Sequence, residues 1–176
     1  MPTLVLTVIG DDQSGLVEAL SGVVTSNGGN WDRSSMARLG NKFAGIVEVS
    51  VPNQRVDELV NALGPLNEQG LLDITVEHAG DDTPVEPATN TDTRWELHLI
   101  GQDRPGIVHE ISQALAQSAV SIEELQTSTS SAPMSGEIMF EATASLLAGP
   151  DADLEELTVS LEALADELMV DIDLRA

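Results

Sequence analysis

The chain has 176 residues, with 30 acidic against 7 basic side chains (formal net charge −23), no cysteine and 2% aromatic residues. That charge opposes attraction to nucleic-acid phosphate or an anionic membrane surface, and the lack of cysteine removes disulfides, Cys-ligated zinc and Cys nucleophiles. No apolar run approaches the ~18 residues of a membrane span. Met1-Pro2-Thr3 leads straight into strand-like sequence without the basic and apolar regions of a signal peptide. A mean hydropathy of +0.01 and well-spaced apolar residues oppose disorder. The expectation is a soluble, cytoplasmic protein long enough for two small domains.

In chain order, Leu4, Leu6 and Val8 alternate with Val5, Thr7 and Ile9, which predicts a strand. Leu16, Leu20, Val23 and Val24 follow helical spacing, and Asn27-Gly28-Gly29 ends that helix. Strand-like segments follow near 30–39 and 43–51. A second helix carries Val56, Leu59, Val60 and Leu63, and Leu72, Ile74 and Val76 alternate in a last strand. The segment 81–93 is acidic, contains Pro84 and Pro87 and shows no period, so it reads as an extended linker between domains at 1–80 and 94–176.

The second half repeats the first. A shift of 91 makes Leu6/Leu97, Ile9/Ile100, Gly10/Gly101, Asp12/Asp103, Gly15/Gly106, Val17/Val108 and Ser21/Ser112 identical pairs, and Gly45/Gly136 keeps that offset. Further on the offset is 98, from Leu59/Leu157 and Leu63/Leu161 to Ile74/Ile172. A net insertion of seven residues is therefore expected after Gly136, most naturally at the turn Ala148-Gly149-Pro150-Asp151. The order βαββαβ occurs twice. One apolar face per strand and one apolar stripe per helix imply an α+β fold of two ferredoxin-like domains, each an antiparallel sheet with both helices on one face. Copies of about 80 residues are small for independent cores.

Charge divides unevenly between the copies. Residues 1–80 hold 4 bases and 10 acids, residues 94–176 hold 3 and 16, and Asp151–Leu174 holds nine acids and no base. A solvated, salt-adapted surface explains such a run, and a docking face for a partner is the competing reading.

Each copy has one loop of unusual composition. In Ile9-Gly10-Asp11-Asp12-Gln13-Ser14-Gly15-Leu16-Val17 and Ile100-Gly101-Gln102-Asp103-Arg104-Pro105-Gly106-Ile107-Val108, glycines permit close backbone approach. Asp12 and Asp103 are placed to cap the following helix, and Pro105 is tolerated in a first helical turn. Such a loop leaves N–H groups near a helix N-terminus, suited to a carboxylate, although both loops also read as plain capped turns. These stretches resemble the strand–loop–helix signature of ACT domains, regulatory modules that commonly bind amino acids. The second copy keeps Asp-Arg-Pro-Gly where the first has Asp-Gln-Ser-Gly. Gly29-Asn30 matches the place where ACT domains often put a ligand-contacting Asn; the second copy has Val120-Ser121 there. Two such domains joined by a short linker look like the glycine cleavage system transcriptional repressor group.

The resemblance implies Gly10, Asp12, Ser14, Gly15 and Asn30, with Gly101, Asp103, Arg104, Gly106 and Ser121, as candidate amino-acid contacts. It also implies binding at a domain or subunit interface, glycine as the ligand, and action through a protein partner such as a transcriptional activator without gripping DNA. A homodimer fits the fold. His78, His98 and His109 lack metal-ligand spacing, and neither a cofactor nor a metal is expected. No nucleophile–base pair, P-loop or dinucleotide fingerprint is present, so no catalytic residue is assigned. Trp31 and Trp95 fall on apolar faces and read as core or interface anchors. The alternative to a sensor is a protein-interaction module that has lost its ligand.

Overall fold

The computed structural model describes residues 1–79 and 93–176, which fall into two units. In the first, strand β1 (Thr3–Asp11) leads to helix α1 (Leu16–Ser26), then strands β2 (Asn30–Leu39) and β3 (Lys42–Ser50). A short 3₁₀ turn at Asn53–Arg55, helix α2 (Val56–Glu68) and strand β4 (Asp73–His78) complete it. The second contains β5 (Thr93–Gln102), α3 (Ile107–Gln117), β6 (Val120–Ser131), β7 (Ile138–Ala148), α4 (Leu154–Leu168) and β8 (Val170–Arg175). The expected linker lies outside the described residues except for Thr93, which already belongs to β5.

Both sheets have the same order, β2-β3-β1-β4 and β6-β7-β5-β8, and every pairing is antiparallel. Each helical crossover skips one strand, so the two parallel members of each βαβ unit are never neighbours. This is the ferredoxin-like arrangement. The period-2 pattern then sets which face is covered. Leu4, Leu6 and Val8 are buried with Leu16, Leu20 and Val24 of α1 and Leu59, Leu63 and Leu66 of α2. Leu97 and Leu99 are buried with Ile107, Ile111 and Leu115 of α3 and Leu157, Leu161 and Leu168 of α4. Each unit thus has its own core between one sheet face and two helix stripes, and the other sheet face is open. Trp31 and Trp95 pack at the margins of these cores, half-buried, as expected of anchors.

The repeat extends below the level of sequence identity. β2 and β6 carry a bulge at the same place, between Trp31 and Arg33 and between Ile122 and Glu124. The position of the insertion differs from the expectation. Gly10 pairs with Phe43 and Gly101 with Phe140, so the offset on the third strand is already 97, as the numbers of Phe43 and Phe140 show. Six of the seven extra residues therefore lie in the β6–β7 hairpin, and only one lies in the β7–α4 connection. The match of Gly45 with Gly136 is a coincidence. Gly45 lies within β3, where a Cβ would collide with Met36, whereas Gly136 sits in the hairpin loop at φ +69°.

Candidate functional site

The two glycine-bearing loops connect β1 to α1 and β5 to α3, and their glycines divide by role. A Cβ on Gly10 would run into the backbone carbonyl of Leu71, and one on Gly101 would overlap the Val170 side chain. Both glycines let the chain entering the neighbouring edge strand lie against the end of the first strand. Gly15 and Gly106 do something else. They occupy left-handed conformations (φ 92° and 98°) as the N-caps of α1 and α3, a region that costs an L-residue roughly 1–2 kcal/mol. Their carbonyls accept the first helical bonds, from Ala19 N–H at 2.9 Å and Glu110 N–H at 3.0 Å.

The expected capping by Asp12 and Asp103 does not occur. Neither helix has a side-chain cap, because the left-handed glycine stands between the aspartate and the first turn. The aspartates are instead tied down through their backbones: Asp12 N–H donates to Asn41 O and Asp103 N–H to Ile138 O, both at 2.8 Å. The Asp12 carboxylate accepts from Arg38 at 3.1 Å, and Asp11 from Lys42 at 2.5 Å. Pro105 lies in the turn before α3, not in its first helical turn.

In the first domain this geometry leaves a cleft of about 230 Å³, lined by Asp12, Gln13, Gly15, Leu16, Val17, Glu18 and Phe43. One wall is the uncapped N-terminus of α1, where amide donors and the helix dipole favour an anion. Asp12, Glu18 and Phe43 complete the lining. Ser14 is exposed in the same loop. In the second domain Asp103 is exposed and Arg104 half-buried, and Arg104 takes part in none of the salt bridges among the described residues.

Asn30 does not join this cluster. It pairs with Ser50, which pairs with Thr3, at one end of the sheet, whereas the loop leaves from Asp11, opposite Lys42, at the other. Eight residues of β1 separate the two ends, roughly 26 Å. The Asn30 amide donates to the Asp32 carboxylate at 2.5 Å, which also accepts from Ser50 Oγ. Ser121 holds the equivalent exposed position at the start of β6.

Sequence reasoning missed the β2–β3 hairpin as part of the loop's surroundings. Arg38, Asn41, Lys42 and Phe43 supply two salt bridges, a backbone anchor and a wall. The signal was the pair of bases at the ends of the hairpin strands: β1–β3 pairing sets Lys42 opposite Asp11, and Arg38 at the end of β2 reaches Asp12. Among the histidines, His98 contacts Glu141 at 2.8 Å on the open face of β5, while His78 and His109 are exposed. Among the described residues, no group of three or more His, Asp or Glu is placed to hold a metal ion. No described helix is long and apolar enough to cross a membrane.

With these features in place, comparison with known proteins is informative. The ACT domain family model matches residues 2–77 and again 97–175. A crystal structure of a protein of unknown function from Galdieria sulphuraria is 30% identical, with a TM-score of 0.85 over 99% of this chain and 97% of that one. A candidate glycine cleavage system transcriptional repressor is similar in fold, at 22% identity and a TM-score of 0.70, over 99% of this chain and 96% of that one. No curated protein sequence matches. The repeat, the interleaved βαβ topology and the twice-matched model agree: the chain belongs to the ACT domain family, with one copy in each half.

Proposed function

We propose that this protein is a non-enzymatic regulatory module that binds a small amino acid at the β1–α1 loop of its first domain and thereby alters its engagement of a protein partner. The carrying observation is the uncapped N-terminus of α1 bordering a cleft that also holds carboxylates. An amino acid is a zwitterion. Its carboxylate suits the free first-turn amides of α1, and its ammonium suits Asp12 and Glu18. The ligand acts on a partner only through differential affinity for two arrangements of the protein. Glycine as the ligand, and a transcriptional activator of the glycine cleavage system as the partner, rest on likeness to the repressor group. The net charge of −23 supports a protein partner over direct contact with nucleic acid.

Because Asn30 lies at the far end of the sheet, it contributes to the loop's ligand only from a second subunit. The binding test is calorimetric titration of the full chain with glycine, alanine and serine at millimolar concentration. Saturable heat with glycine is expected, weakened about fivefold or more by Asp12→Asn, a change of roughly 1 kcal/mol, with little change in melting temperature. Absence of heat with every amino acid would sink the sensor reading.

One observation favours a module without a ligand: the Asp12 carboxylate and the Asn30 amide both already have internal partners, Arg38 and Asp32. On that reading a protein partner co-purifies to the same extent with and without any amino acid.

A further inference from the structure

The open faces of the two sheets carry opposite chemistry on the same framework. In the first domain the two central rows across the sheet are Ser35–Ile46–Thr7–Thr75 and Ala37–Ala44–Ile9–Asp73, with one charged side chain among them. The same register in the second domain gives Gln126–Thr143–His98–Asp173 and Ser128–Glu141–Ile100–Asp171, with three carboxylates and an imidazole. Ile9 and Ile46 are 45% and 55% exposed on this face. The charges that flank the apolar rows of the first domain largely pair with each other: Arg33 with Glu48 at 2.6 Å on one side, and Lys42 with Asp11 at 2.5 Å on the other.

We propose that the open sheet face of the first domain is a self-association surface, on which the same face of a second copy packs about a two-fold axis. Charge selects this occupant and this face. Copies carrying −23 each repel over most of their surface, so association is favoured where the facing groups carry least charge. The two central rows of the first domain come nearest to that condition, with Asp73 on the edge strand β4 as their one charge, whereas the three carboxylates of the second would face one another. A self-complementary, largely apolar centre with a rim whose charges pair except for Glu77 matches the anatomy of an isologous interface. Four strands about 4.8 Å apart and four rows about 6.7 Å apart cover roughly 500 Å² per copy. Two such faces reach roughly 1,000 Å², the lower bound for a specific interface and the size of a weak, reversible one.

The test is sedimentation velocity on the full chain across a micromolar concentration series. A monomer–dimer equilibrium is expected. It should tighten as NaCl rises from about 0.1 to about 1 M, because the screening length falls from roughly 10 to roughly 3 Å and the copies repel less. Ile46→Glu and, separately, Ile9→Glu, which lies beside Asp73, should each weaken dimerisation by about tenfold or more, since each buries an unpaired charge. Both side chains are exposed in the free chain, so melting temperature should stay near that of the parent. Thr143→Glu, at the position equivalent to Ile46, should leave the equilibrium unchanged. A chain that stays monomeric throughout the series, or a dimer indifferent to both isoleucine variants, overturns the proposal. Dissociation by Thr143→Glu would equally overturn it, by assigning the interface to the other sheet.

Discussion

Replacing Gly10 or Gly101 with alanine separates two accounts of the loop glycines, one in which they make room for a ligand and one in which they make room for the fold. An added Cβ at Gly10 meets the backbone carbonyl of Leu71, which no side-chain rearrangement can move aside. Overpacking of this kind costs about 1–3 kcal/mol, and we expect Gly10→Ala near the upper end. At Gly101 the obstacle is mainly the Cγ1 of Val170, a side chain, so we expect about 2 kcal/mol. Val170→Ala alone loses buried methyl groups, about 1.5–2 kcal/mol, because Val170 is 6% exposed. The double variant Gly101→Ala/Val170→Ala should then be less destabilised than the sum of the two, by about 1 kcal/mol. Relief is partial because the Val170 Cβ stays close. No partner substitution should rescue Gly10→Ala. Trp31 and Trp95 belong to different cores, so a Trp95→Phe background reports on the first domain and Trp31→Phe on the second. In thermal melts, 1 kcal/mol corresponds to roughly 4–8 °C for domains of this size. A Gly10→Ala melt within about 3 °C of the parent, or strict additivity of Gly101→Ala with Val170→Ala, would refute the close-approach argument.

Two smaller perturbations test helix ends. The Asp153 carboxylate accepts from Glu156 N–H at 2.9 Å at the start of α4, so Asp153→Ala should cost about 1 kcal/mol while Asp153→Asn stays nearly neutral, read from urea unfolding of the second domain. Met169 ends α4 with φ 54° and a largely exposed side chain. Met169→Gly should therefore stabilise by about 0.5 kcal/mol, as relief of the left-handed backbone outweighs the entropy that glycine adds to the unfolded chain. Destabilisation by Met169→Gly, measured in the same way, would mean that the side chain contributes packing its exposure does not reveal.

Internal repetition and apolar period were legible from the residues alone. Two shifts, 91 and 98, sufficed to show a duplication, and alternation in Leu4–Val8 or Val170–Leu174 identified strands because every second side chain must face the helices. The covered face of each sheet followed for the same reason, since burial of leucine and valine is local to the element that carries them. The loop was found for its glycines and aspartates, but half of its wiring was assigned to the wrong partner. Capping was expected because Asp precedes a helix in sequence. The left-handed Gly15 shifts the true N-cap three residues on and sends the Asp12 carboxylate to Arg38, on a strand 26 residues away.

What the chain determined by itself was therefore everything set by near neighbours: the order of elements, the duplication, and the stripe each helix buries. What only the tertiary structure decided was everything set by strand register. Register moved the insertion into the β6–β7 hairpin, placed Asn30 about eight residues of β1 away from the loop it was grouped with, and brought Arg38, Lys42 and Phe43 to its side. It also revealed that the two central rows of one open sheet face hold a single charge, while those of the other hold three carboxylates. Pairing across strands joins residues far apart in sequence, and a shift of one residue exchanges the two faces, so local pattern cannot carry that information.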